Sequence, residues 1–204
     1  MKRLGSNTII LTFGIIIIIA GCASTPTVER TEVDTTIDLS GRWNDSDSRL
    51  VSEEMIQDCL NRPWLDRHKD KHNGNIPTVI VGRVKNRSHE HINVQTFTKD
   101  LERALINSGQ VQFVAAKGER MDIREERRDM AQHASDETMK GPGQEVGADY
   151  MLIGVINTIR DDIGGKAVMY YQVDLELIDM TNDLKVWIGD KKIKKLIKKP
   201  KVKW

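Results

Sequence analysis

The sequence predicts an α/β fold of the mixed α+β sandwich kind, a small mixed β-sheet flanked by helices. Three observations carry this. Segments with apolar residues every three or four positions alternate with short apolar runs up to residue 156. The runs at residues 76–84 and 150–156 are apolar and β-branched on both faces, as in strands covered on both sides. From Ala167 the pattern changes to strict alternation, and Thr181-Asn182-Asp183 then offers hairpin-turn chemistry, which adds an antiparallel ribbon.

The chain opens with Lys2 and Arg3, an apolar block of 12 residues (IILTFGIIIIIA) and Ile19-Ala20-Gly21-Cys22. A membrane-spanning helix needs about 20 apolar residues, so the block is too short to span. The layout is that of a bacterial export signal over residues 1–21, ending in a lipobox. Cys22 is then the expected first mature residue, with diacylglycerol on its sulfur and an acyl chain on its amine. No other cofactor is implied. Each buried methylene adds about 0.8 kcal/mol of membrane affinity, so three chains make a lasting anchor. The blander alternative is a cleaved secretory signal with an incidental cysteine. Ala23 follows Cys22 where an aspartate would favour inner-membrane retention, which points to the outer membrane, on its periplasmic side.

Residues 22–39, the lipidated cysteine and a stretch rich in Thr, Glu, Asp and Val, read as a flexible tether. Residues 40–195 read as the folded domain, and residues 196–204 as a basic tail. Without residues 1–21 the chain has 183 residues, enough for one domain with a core. Eight lysines and no acid lie between Lys191 and Trp204, whereas acids outnumber bases 30 to 21 between Ala23 and Asp190. The body is therefore soluble and acidic, and the tail seeks anions.

Within the domain, Ser48 is the expected cap of a helix to about Asn61 that buries Val51, Met55, Ile56, Cys59 and Leu60. Pro63 is expected to end it, leaving residues 64–75 as a charged loop. A strand at 76–84 and a polar connection at 86–93 follow. Thr96 or Thr98 then caps a helix with Phe97, Leu101 and Leu105 inward, stopped by Ser108-Gly109. Residues 111–114 form a short strand. Residues 123–133 form a solvated, ion-paired helix. Residues 145–148 make one helical turn at most, and residues 161–165 a turn. The strand from Ala167 has one wet face and the length of an outer strand. A return strand spans 184–193, where lysines blunt an edge.

Several ordered segments resemble a known family. They are Leu101-Glu-Arg-Ala-Leu-Ile-Asn-Ser-Gly109 before Val111-Gln-Phe-Val114, then Gly147-Ala-Asp-Tyr-Met-Leu-Ile-Gly154, then Leu175-Glu-Leu-Ile-Asp179 before Val186-Trp187. With the lipobox in front and Asn86-Arg87-Ser88 after the first strand, the set resembles the LpoB-like outer-membrane lipoprotein activators of penicillin-binding proteins. The resemblance implies a fold like the N-terminal domain of TolB and the periplasmic part of CsgG. It implies a non-enzymatic regulator that binds and stimulates a class A penicillin-binding protein, as a monomer. Some members have a long proline-rich tether, while here it is short with one proline. The alternative is a CsgG-like envelope or secretion lipoprotein acting by oligomerisation, and a weaker third is an envelope hydrolase.

No catalytic constellation is legible. No Gly-rich phosphate loop follows a strand, and no serine sits in a nucleophile elbow. His68 and His72 have the spacing of helix-borne metal ligands, but their cationic segment argues against a metal. His89 and His91 read as solvated. With one cysteine lipidated, Cys59 has no disulfide partner and reads as a packing residue. For partner binding, Asn86 and Arg87 stand out, since exposed polar loops on a rigid sheet carry recognition. Turn-forming and capping duty explains them equally well. Nucleic acid is not an expected partner of an exported domain.

Overall fold

A computed structural model describes residues 28–33, 35–135, 137–140 and 145–198. Two units separate, Met1–Thr35 and Thr36–Trp204. In the first, the described residues are exposed, and Thr35 N–H donates to the Glu32 carbonyl at 3.1 Å. Among its described residues the second carries four helices, α1 (Asp45–Leu60), α2 (Trp64–Lys71), α3 (Val94–Asn107) and α4 (Lys117–His133), and five strands, β1 (Thr78–Asn86), β2 (Gln112–Phe113), β3 (Tyr150–Ile163), β4 (Lys166–Asp179) and β5 (Lys185–Lys198). They make one mixed sheet in the order β2-β1-β3-β4-β5. β1 is parallel to both β2 and β3, whereas β3-β4 and β4-β5 are antiparallel.

α1, α3 and α4 each start where a side chain accepts from a backbone amide of the first turn or cap. α1 begins earlier than Ser48 predicts. Asn44 accepts from Asp47 N at 3.0 Å and Asp47 accepts from Asn44 N at 3.0 Å, a reciprocal capping box. For α3 the cap is Asn93, not a threonine, and its side chain serves Gln95 N and Thr96 N. The segment 64–71 is helical, contrary to the expected loop. Pro63 has helical φ/ψ and starts α2, a first-turn position where proline's missing N–H costs nothing. Trp64, Leu65 and His68 give α2 its buried edge. α4 starts at Lys117, six residues before Ile123, because Glu119 accepts from Ala116 N at 2.8 Å. It buries no residue, so it is the solvated helix the charges predict.

The core lies between the helices and one face of the sheet. β4 contributes Ala167, Met169, Tyr171, Val173, Leu175 and Leu177, all buried. β3 adds Leu152 and Ile156, β1 adds Val79 and Val81, and the helices add Val51, Ile56, Trp64, Phe97, Leu101 and Leu105. Each such side chain contributes roughly 1.5–3 kcal/mol. Free Cys59 is 1 % exposed within this core, and burial pushes its thiol up to about 12. Gly154 permits close packing. A Cβ there would meet the Asp174 carbonyl at 2.7 Å and collide with Leu175.

The ribbon is longer than expected. β3 runs through Ile163, so the turn shrinks to Gly164-Gly165, both at positive φ. β5 runs to Lys198, and β4 is an inner strand between β3 and β5, not an outer one. The wet face of β4 reflects an open sheet face, not a free edge. No helix is seen at residues 145–148. β3, β4 and β5 thus project past β1 as a three-stranded arm.

Candidate interaction surface

The connection after β1 is held from within. Asn86 Nδ2–H donates to the Glu90 carbonyl at 2.8 Å, and Asn86 Oδ1 accepts from Ser88 N at 2.8 Å. Ser88 Oγ donates to the same carbonyl at 3.0 Å and accepts from Glu90 N at 3.1 Å. Arg87 N–H donates to the Ile156 carbonyl at 2.8 Å, and His89 N–H to Thr158 Oγ1 at 3.2 Å, fastening the loop along β3.

Glu90 ties the loop to the core. Its Oε2 accepts from the Tyr171 hydroxyl at 2.8 Å and from Trp43 N at 3.1 Å. Burial, reinforced by the bond to the Glu90 carboxylate, raises the Tyr171 hydroxyl well above its ordinary pKa. Trp43 packs edge-on against Phe97 and Tyr171. The result is a rigid platform. Asn86 spends its amide on the loop itself, the turn-forming duty read from the sequence. Arg87 is exposed, and its guanidinium has no partner among the described residues. Cys22 lies outside the described residues.

Lys195, read as an edge-strand lysine, is a half-buried clasp. Its Nζ donates to Asp38 Oδ1 at 2.6 Å, Asp47 Oδ2 at 2.7 Å and the Arg42 carbonyl at 3.1 Å. Burial disfavours the ammonium, but the two carboxylates outweigh it and hold its pKa above the usual lysine value. The clasp joins β5 to the cap of α1 and to the segment entering the body. Sequence reasoning missed it because the lysine sits on the apolar phase of β5, between Ile193 and Ile197. That phase was the available signal.

His68 and His72 stack with centroids 4.2 Å apart, and His68 Nδ1 lies 3.0 Å from the Tyr150 hydroxyl. Burial, then the neighbouring His72, lowers the His68 pKa. No group of three or more His, Cys, Asp or Glu side chains is placed to share an ion among the described residues. A groove of about 620 Å³ runs between α1 and α3, lined by Arg49, Glu53, Ile56, Leu60, Asp100 and Arg103.

The second face of the sheet is open. Ile80, Met151, Ile153, Val155 and Ile178 lie half-buried on it, with Ile188 65 % exposed beside them. Gly82 clears the way for Met151 and Ile153, which would meet a Cβ there at 2.9 and 3.0 Å. No helix of the described residues is long and apolar enough to cross a membrane.

A braced loop, a half-buried clasp and an open apolar sheet face are the surface features of this mixed α/β domain. The chain belongs to the LpoB family of peptidoglycan-synthase activators, whose sequence model matches residues 47–193. The match takes in every helix and strand from α1 to most of β5.

Solved structures give distant likenesses. The LpoB C-terminal domain from Salmonella enterica is 18 % identical, with a TM-score of 0.34, over 64 % of this chain and 93 % of that one. The corresponding Escherichia coli domain is 17 % identical, with a TM-score of 0.35, over 65 % and 98 %. The lipoprotein GNA1162 from Neisseria meningitidis is 14 % identical, with a TM-score of 0.38, over 59 % and 83 %. Family membership rests on the sequence match, not on these superpositions. Among curated proteins no match is found.

Proposed function

We propose that this chain is a non-enzymatic, lipid-anchored regulator that binds and stimulates a class A penicillin-binding protein. In this reading Cys22 carries the diacylglycerol and N-acyl chain, and residues 22–39 tether the body. The outer membrane holds it on the periplasmic side, and the body acts as a monomer. The observation that carries the reading is the family match across residues 47–193. The synthase contact includes the connection at residues 86–93, with Arg87 as a charged contact on a braced backbone. The loop is ordered before binding, so little conformational entropy is lost on contact.

Such a regulator acts by population shift. It binds the synthase's active conformation more tightly than its resting one, and stimulation cannot exceed that difference in affinity. A tenfold shift of the equilibrium requires about 1.4 kcal/mol of differential contact.

The test is capture of class A penicillin-binding proteins from envelope extract by the chain from residue 22 onward, followed by titration with the purified synthase. Arg87→Ala is expected to weaken binding about tenfold while the fold is unchanged. Wild-type-like affinity of Arg87→Ala removes the loop from the contact. Failure of every class A synthase to bind refutes the partner. Replacing Cys22 with Ser is expected to release the full-length protein from membranes.

A further inference from the structure

The far end of the β3–β5 arm carries a surface that synthase binding leaves unexplained. Cross-strand register aligns three rows on its open face. They are Ile163–Lys166–Lys198, Asp161–Val168–Leu196 and Ile159–Tyr170–Lys194. Ile163 is 81 % exposed, Ile159 65 % and Leu196 60 %. Lys166, Lys194 and Lys198 are exposed and make no hydrogen bond or ion pair among the described residues. Strand geometry makes the patch about 10 Å wide and about 14 Å long. Asp161 is its one acid. Arg160 and Asp162 point to the other face and pair with each other at 2.6 Å.

Edge protection explains lysines on β5, but not Lys166 on the inner strand β4. It also does not explain three large apolar side chains gathered on one face among unpaired cations. On the arm's opposite face, β4 and β5 are already covered. Ile197 fills the space where a Gly41 Cβ would stand, and the Tyr171 hydroxyl reaches the Gly41 carbonyl at 3.3 Å.

We propose that this arm tip, Ile159, Ile163 and Leu196 with Lys166, Lys194 and Lys198, rests on the headgroup layer of an anionic bilayer. The point where the chain joins the body selects a bilayer over an acidic protein. The chain joins the body beside this arm, on the face opposite the patch, where Lys195 clasps Asp38. Fifteen residues lie between Cys22 and Asp38. At full extension a stretch of that length reaches at most about 55 Å. An anchor at Cys22 is thus joined to the body through the arm that carries the patch. Charge points the same way. Acids outnumber bases 30 to 21 between Ala23 and Asp190, so an anionic surface repels the rest of the body and attracts the tip. Lysines that reach phosphate headgroups while isoleucine and leucine enter the interface make an interfacial contact, not an insertion.

The inference takes its bilayer from the proposed anchorage and is tested without it. The chain from residue 22 onward, carrying Cys22→Ser, is sedimented with phosphatidylcholine vesicles containing or lacking phosphatidylglycerol. Binding only to the phosphatidylglycerol vesicles, weakened by salt, is expected. Each lysine contributes about fivefold, so Lys166→Gln/Lys194→Gln/Lys198→Gln lowers binding on the order of a hundredfold. Ile163→Ser/Leu196→Ser lowers it about tenfold, with all three lysines retained. No phosphatidylglycerol-dependent binding, or equal binding by the lysine variant, overturns the inference. So does a lysine variant that loses synthase stimulation in detergent solution while the parent ignores vesicles, which makes the tip a protein contact. Vesicle binding without synthase stimulation would instead defeat the partner assignment and leave this inference standing.

Discussion

Replacing Lys195 with methionine tests whether the clasp holds the body together. The Lys195 side chain is 10 % exposed and that of Asp47 is 8 %, whereas Asp38 keeps 46 % and can rehydrate. Lys195→Met therefore strands one buried carboxylate. Removing one partner of a buried pair costs about 3–5 kcal/mol. Asp47 Oδ2 still accepts from Asn44 N at 3.0 Å, which places the expected loss near the lower end, about 3 kcal/mol. At about 2–4 °C per kcal/mol for a chain of this size, Tm falls by about 6–12 °C. Adding Asp47→Asn removes the stranded charge and is expected to recover about 1 kcal/mol or more, a coupling that a double-mutant cycle reads directly.

The pH dependence has a definite sign. The folded pKa of Lys195 is raised, so its contribution is complete below the unfolded value near 10.4 and disappears as pH rises through the folded value. The hydrogen bond from Lys195 lowers the folded pKa of Asp38, so that share is present above about pH 4 and is lost as pH falls through the folded value. Urea unfolding of parent and variant across this range measures the difference. A loss below 1 kcal/mol, or strictly additive single effects, refutes the clasp.

Two other sites give sharp expectations. His68 has a lowered folded pKa, so its stabilisation is present above about pH 6.5 and is lost as pH falls through the folded value. Urea midpoints should drop on acidification through that range, and His68→Gln should flatten the slope; an unchanged slope contradicts the assignment. Gly154→Ala should cost roughly 1–3 kcal/mol, because its methyl meets the Asp174 carbonyl as well as Leu175 and only the leucine can turn away. Wild-type thermal unfolding of that variant would show that β3 and β4 are more loosely paired than their register implies.

Much of the fold was legible because its signals are local. The two-sided run around Leu152 and the alternation from Ala167 to Leu177 each place a strand and its buried phase. The helix burying Val51, Met55 and Cys59 is equally clear from spacing. Boundaries were less legible, since caps depend on which of several polar residues meets the free amides. Asn44 and Asn93 outcompeted Ser48, Thr96 and Thr98. Pro63 misled because proline can stop one helix and start the next, and the buried edge of Trp64, Leu65 and His68 settled which.

The rank of β4 in the sheet was misread because a wet face and a free edge leave the same alternation in sequence. Long-range polar links were not legible. Nothing local announces that Glu90 meets Tyr171, or that Lys195 meets Asp47. Asn86 braces its own loop, the turn duty the sequence offered beside recognition, while Arg87 beside it is exposed.

The most direct measurement is the rate at which a purified class A penicillin-binding protein from the same cell polymerises lipid-linked glycan precursor, with and without this chain from residue 22 onward. The account predicts a saturable rise in rate, with a midpoint matching the binding titration and a smaller effect from Arg87→Ala. An unchanged rate at saturating concentration, for every such synthase in that cell, contradicts it.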